Sequence, residues 1–120
     1  MASEKWRDNA INWIHDHTET LPDNPPSNYH VGRPTDKARQ NAALLIREVG
    51  EGFLAPADMS VTQERGIALG WRNGNKELTI QVMGDGALEI LHCISDSIVD
   101  EFRYPDLDWR VGRSFDWLAS

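Results

Sequence analysis

Gly66-Ile67-Ala68-Leu69-Gly70-Trp71-Arg72-Asn73-Gly74-Asn75-Lys76-Glu77-Leu78-Thr79-Ile80-Gln81-Val82 decides the fold of this chain. Ile67, Leu69 and Trp71 alternate with Ala68, Gly70 and Arg72, and Leu78, Ile80 and Val82 alternate with Thr79, Gln81 and Met83. Side chains two apart on an extended backbone share a face, so each run predicts a strand with one buried side. Asn73-Gly74 lies between the runs and is a favoured pair for a two-residue hairpin, because both residues tolerate positive φ. A turn there sets Arg72 opposite Asn75, Leu69 opposite Leu78 and Ile67 opposite Ile80, with every apolar partner on one face.

Working outward, Gly84-Asp85-Gly86 predicts the next turn. A two-residue Asp85-Gly86 loop would pair Val82 with Glu89 and bury a carboxylate. A three-residue loop with Gly86 in the left-handed region pairs Val82 with Leu88 and Ile80 with Ile90, and is preferred for that reason. Ile98, Phe102 and Tyr104 suggest a fourth strand, although Ile98, Val99 and Phe102 also suit a short helix; the strand is favoured.

Helices flank this sheet. Behind Ser3 as N-cap, Trp6, Ala10, Trp13 and Ile14 fall on one helical face, predicting a helix over 4–17. Four of the six prolines lie in residues 20–34, which predicts an extended crossing. Thr35 and Asp36 open a second helix over 36–49 with a stripe of Ala38, Ala42, Leu45 and Val49, and Gly50 and Gly52 stop it. Phe53, Leu54 and Pro56 read as a loop tucked under the sheet. Pro105 and Asp106 start a last helix over 106–119, with Leu107, Val111, Phe115 and Leu118 inward. The expected architecture is a single α+β domain over 1–120: an antiparallel four-stranded β-meander, strands about 66–72, 76–83, 87–94 and 98–104, packed on one face by helices in the order ααββββα.

The net charge of −7 and pI near 4.9 argue against direct nucleic-acid binding and against anionic membranes, since both need a basic face. No run has the length of a bilayer-spanning helix, and Met1 to Trp13 lacks the apolar core of a secretory signal. With Cys93 the only cysteine, no internal disulfide forms. A cytoplasmic location is the expectation.

Each candidate site has a structural counter-reading. His15-Asp16-His17 resembles a metal site, but residues two apart on a helix point away from one another. His92-Cys93 resembles a base and nucleophile, but strand neighbours project to opposite faces, so His92 reads as a buried core histidine. Gly84-x-Gly86 joins two strands and lacks the helix N-terminus of a phosphate loop. No cofactor motif is present. From Asp85 to Asp108 there are seven carboxylates against Arg103 alone. Asp106 and Asp108 read as caps of the last helix, and Asp100 and Glu101 as charges that keep an edge strand soluble. Arg33, Lys37, Arg39 and Arg47 gather about the second helix, which makes the molecule electrically lopsided. On the outer sheet face the expected register sets Ala68, Thr79 and Leu91 in one row and Gly70 and Cys93 in the next. That weakly apolar surface invites a second sheet, a second copy of the chain or the last helix.

The Gly66–Val82 stretch, with Gly84-Asp85-Gly86 after it, resembles a group of uncharacterised small bacterial α+β proteins sharing a G-I-x-L-x-W…D-G hairpin. They carry it behind an alanine- and leucine-rich helix, here residues 35–49, and a proline-containing loop, here 53–56. The likeness spans about residues 35–94, half the chain. It implies an accessory role of the mobile-element kind and no catalytic residue. The tryptophan-rich first helix and the last helix depart from the group.

The sequence therefore points to a non-enzymatic protein-interaction module. In its concrete form it is an acidic inhibitor or antitoxin-like partner of a basic or nucleic-acid-handling protein. Leu91, Cys93, Asp100 and Glu101 are the expected partner surface, and a protein partner or a homo-oligomer the expected complex. The alternative is a small hydrolase-type enzyme with a site around His30, His92 and Asp100. A small-ligand binder built on Trp6, Trp13, Trp71, Trp109 and Trp117 is the third, with core packing the stronger explanation of Trp6, Trp13 and Trp71.

Overall fold

A computed structural model describes residues 2–21, 32–48, 55–62 and 64–120. Most of the proline-rich crossing, His30 within it, the predicted helix stop and the loop at Phe53 and Leu54 lie outside the described residues, as does the Ser3 side chain.

The chain is α+β, and the described residues form an antiparallel sheet of five strands in consecutive order. Its strands are β1 (Asp58–Val61), β2 (Ile67–Asn73), β3 (Lys76–Val82), β4 (Leu88–Ile94) and β5 (Ser97–Tyr104). The meander carries one strand more than the four expected. Met59 and Val61 of β1 do alternate with Asp58 and Ser60, but four residues beside Pro56 are too few for periodicity to stand out.

The first hairpin differs from expectation by two residues. Asn73 pairs with Lys76, so the turn is Gly74-Asn75 rather than Asn73-Gly74. Gly74 has φ +64° and Asn75 is not in the left-handed region, the pattern of a turn that needs glycine only at its first central position. Leu69 therefore faces Ile80, Trp71 faces Leu78 and Ile67 faces Val82. A slip of two preserves the side of every residue, which is why the face assignment survives. The second hairpin has the preferred register, Val82 opposite Leu88 and Ile80 opposite Ile90. Gly86, at φ +92°, donates to the Met83 carbonyl at 2.9 Å, and Met83 donates to Ala87 at 2.8 Å. Ser95 and Asp96, both at positive φ, form the third turn, and β5 carries a bulge where it passes from Ile98 to Asp100.

Helix α1 (Ala2–Asn12) continues as a π-helical turn, Trp13–His17, where a single α-helix over 4–17 was predicted. Trp13 and His17 stack across that turn at 5.3 Å, and the Thr18 hydroxyl donates to the Ile14 carbonyl. Helix α2 (Asp36–Glu48) begins as predicted: Thr35 Oγ1 accepts the Ala38 N–H at 3.1 Å and donates to the Gly84 carbonyl at 2.5 Å, tying the helix start to the second hairpin. The last helix begins later than 106. Asp106 accepts from the Leu107 N–H and from Asn41 Nδ2 at 2.8 Å and pairs with Lys37 at 3.1 Å. It thus anchors the end of β5 to α2 instead of capping a helix. Asp108, in extended backbone, is the cap: it accepts from the Arg110 N–H and opens a 3₁₀ turn (Trp109–Val111) leading into α3 (Gly112–Ala119).

One core holds the layers together. Ile67, Leu69, Trp71, Leu78, Ile80, Val82, Leu88 and Ile90 from the inner sheet face join Ala10 and Ile14, Ala38, Ala42, Leu45 and Ile46, and Val111, Phe115 and Leu118. Full burial of each large aliphatic contributes about 1.5–3 kcal/mol. Trp71 meets Phe115 edge-on at 5.0 Å. The first hairpin also caps α3, with Asn73 Nδ2 donating to the Leu118 carbonyl at 2.7 Å and Lys76 Nζ to the Trp117 carbonyl at 3.0 Å. A cation at the helix C-terminus meets the negative end of the dipole.

Two glycines separate steric closeness from backbone strain. A Cβ on Gly66 would lie 2.3 Å from the Val82 carbonyl oxygen, whereas one on Gly74 meets nothing within 4 Å but sits at positive φ. Gly74→Ala is expected to cost about 1 kcal/mol, and Gly66→Ala about 3 kcal/mol. Urea unfolding midpoints check the ranking, which equal losses would contradict.

Candidate functional site

The observed register lays out the outer sheet face in rows, because residues paired across antiparallel strands point to the same side. One row runs Asp58, Gly70, Thr79, Leu91 and Glu101. A second runs Ser60, Ala68, Gln81, Glu89 and Arg103, and a third Arg72, Glu77, Cys93 and Ile98. The predicted alignment of Ala68 with Thr79 and Leu91 is thereby corrected: Ala68 faces Gln81, since the first hairpin turns one residue later than expected and every partner shifts by two.

The last helix is not the cover for this face. Val111, Phe115 and Leu118 belong to the core beneath the inner side. Among the described residues the outer side chains of β2, β3 and β4 are half-buried or exposed, and Ile98 is 58% exposed. An open trough of about 370 Å³ crosses β3 to β5, lined by Gln81, Glu89, Leu91, Glu101 and Arg103 together with Ile90 and Phe102. Four carboxylates, Asp58, Glu77, Glu89 and Glu101, share the face with two guanidiniums. Arg72 pairs with Glu77 at 3.2 Å and Arg103 with Glu89 at 3.4 Å, leaving an acidic balance around Leu91.

Of the four expected partner residues, Leu91 and Glu101 are opposite one another and Cys93 is in the adjoining row. Asp100 is on the other side of the sheet, opposite His92. Ile98 joins the outer surface instead. Its spacing from Phe102 suggests a common face, but the bulge between them inserts one residue and flips the parity, a displacement that alternation alone does not reveal.

His92 is 4% exposed. Its Nε2 is 2.8 Å from Ser114 Oγ, its ring stacks on Trp117 at 4.2 Å, and Phe102 closes a second side at 5.1 Å. Among the described residues Nδ1 has no hydrogen-bond partner. Burial pushes the imidazole below its ordinary value, and Asp100 pulls it partly back. A ring roofed by Trp117 and Phe102 is poorly placed to take a proton from a substrate, and His30 lies outside the described residues, so the hydrolase-type arrangement is not assembled among the described residues. No group of three metal-ligating side chains occurs among the described residues either.

The basic residues about α2 are mostly engaged within the molecule. Arg39, largely buried, pairs with Glu19, whose carboxyl it holds below the usual range, and donates to the His15 carbonyl at 3.3 Å. Lys37 holds Asp106, whose carboxyl is lowered first by the Leu107 N–H and then by Asn41 and Lys37. Asp108 is held at about 2 by Arg110, which also lies over the Tyr104 ring at 4.8 Å. Asp106 and Asp108 therefore belong to the scaffold that seats β5.

Comparison with family models, curated proteins and solved structures finds no match. No helix among the described residues is long and apolar enough to cross a membrane.

The buried histidine makes stability pH-dependent in one direction. Its native pKa lies below the ordinary 6.5 of an exposed histidine, so its contribution is complete above about 6.5 and is lost as pH falls through that value. His92→Phe, which keeps a ring against Trp117, is expected to flatten the fall in urea midpoint between neutral pH and about pH 5. Asp100→Asn, removing the charge that favours the imidazolium, is expected to steepen it. Parallel curves for all three proteins would contradict the assignment.

Proposed function

We propose that the chain is a non-enzymatic protein-interaction module whose outer sheet face receives a basic partner. In the concrete form supported by the charge, it acts as an inhibitor or antitoxin-like companion of a protein that handles nucleic acid, and it acts within the cytoplasm. The observation that carries this reading is the acidic outer face. The helices α1, α2 and α3 all contribute to the core on the inner side, while Leu91, Cys93 and Ile98 lie among four carboxylates on the other. A sheet with one face packed and one solvated needs only polar residues on its wet side. Leu91 and Ile98 depart from that pattern and offer a partner apolar contact, while the surrounding carboxylates favour approach by positive charge.

Crosslinked capture from the native host tests the proposal. The wild-type chain is expected to recover a basic protein in a complex that weakens as salt rises. Leu91→Lys, which places a cation at the centre of the face, is expected to lower capture by at least about tenfold while the circular dichroism stays unchanged. Undiminished capture by the folded variant would remove the outer face from the interaction.

A further inference from the structure

We infer that the free edge of β5 pairs with β5 of a second copy of this chain. The two strands run antiparallel and centre on Phe102, joining two five-stranded sheets into one of ten. The inference deepens the interaction reading by naming one partner, and it leaves the outer sheet face free for another.

β5 is eight residues long, and among the described residues it pairs with β4 alone. A strand of that length at a sheet edge presents a row of unmet backbone groups. Ladder alternation says which residues hold them. Met83 bonds to Ala87 at the hairpin, so odd-numbered residues of β4 exchange hydrogen bonds with β3 and even-numbered ones with β5. Asp100, Phe102 and Tyr104, opposite His92, Ile90 and Leu88, therefore turn their backbone groups toward β4. Glu101 and Arg103 turn theirs outward.

A two-fold axis normal to the sheet sets each residue opposite one on the same face. Four such registers centre on Asp100, Glu101, Phe102 and Arg103, in the regular part of the strand, and charge separates them. Centring on Asp100 opposes two carboxylates beside the bulge. Centring on Glu101 opposes two more. Centring on Arg103 opposes two guanidiniums and sets Pro105, which has no N–H, against Glu101. Centring on Phe102 alone sets Glu101 of each copy opposite Arg103 of the other. The outward N–H and C=O groups of both residues are then matched, for four new backbone hydrogen bonds. It also brings together the two Phe102 rings, each 40% exposed in the single chain. Because the axis makes the interface self-complementary, it closes as a dimer, and the remaining edge strand, β1, is only four residues long. Charges of opposite sign at Glu101 and Arg103, which keep unrelated strands away, here select one register.

Sedimentation equilibrium tests the pairing. The wild-type chain is expected at twice 13.6 kDa. Glu101→Arg and Arg103→Glu each put like charges in opposition and are expected to weaken the dimer by at least about tenfold, and the double exchange Glu101→Arg with Arg103→Glu is expected to restore it. Covalent trapping is the second measurement. Phe102 would sit in a non-hydrogen-bonded pair with Cα atoms about 4.5 Å apart, within disulfide range. Phe102→Cys in a Cys93→Ser background is therefore expected to oxidise to a dimer, and Asp100→Cys in that background is not. A monomer at every concentration, a double exchange no better than its parents, or equal trapping at 100 and 102 would overturn the inference. A monomer that still captures a basic protein through Leu91 would overturn the edge pairing alone, leaving the outer-face reading intact.

Discussion

The row Met59, Leu69, Ile80, Ile90 and Phe102 runs across all five strands on the inner side of the sheet, and the helices pack beneath it. Its three central members are 0–1% exposed. Sheet residues alternate sides, so sealing this row sends the intervening residues outward with no further choice. The outer face, its acidic balance and its exposed aliphatics all follow from that constraint. So does the position of His92, which lies one step along the inner side of β4 from Ile90 and is buried for the same reason.

Polar contacts then decide where the helices lie on the apolar layer. Hydrophobic burial is non-directional and holds a helix down without orienting it. Thr35 bonded to Gly84, and Asn41 bonded to both Gly86 and Asp106, place α2 against the second hairpin and the end of β5. Asn73 and Lys76 place the C-terminal turn of α3 against the first hairpin, while Ser114 and Trp117 close over His92. These contacts join residues 22 to 65 positions apart. Lys37 and Arg39 of α2 are engaged within the molecule as well, by Asp106 and Glu19.

The edge strand shows how one backbone irregularity redistributes chemistry. Without the bulge at Val99, Ile98 and Phe102 would share a face. With it, Ile98 turns to the outer side beside Cys93, and Phe102 turns inward beside His92. Asp100 is likewise moved from Leu91 to the histidine's side of the sheet, and Glu101 takes the place opposite Leu91. A surface of Leu91, Cys93, Glu101 and Ile98 results, and it shares only part of its membership with the set expected from charge and spacing.

Alternation and turn chemistry by themselves determined the meander, the side on which each residue of β2, β3 and β4 lies, the register of the second hairpin and the start of α2. Those signals are local: a period of two, a glycine in the left-handed region, a threonine ahead of a helix. Only the tertiary structure decided the two-residue shift of the first hairpin, the fifth strand, the bulge and the late start of α3. A shift of two keeps every side chain on its face and so leaves the pattern unchanged. Four residues of β1 are too few to display a period, and Asp106 became an anchor for α2 because folding brought Asn41 and Lys37 to it across more than sixty positions of chain.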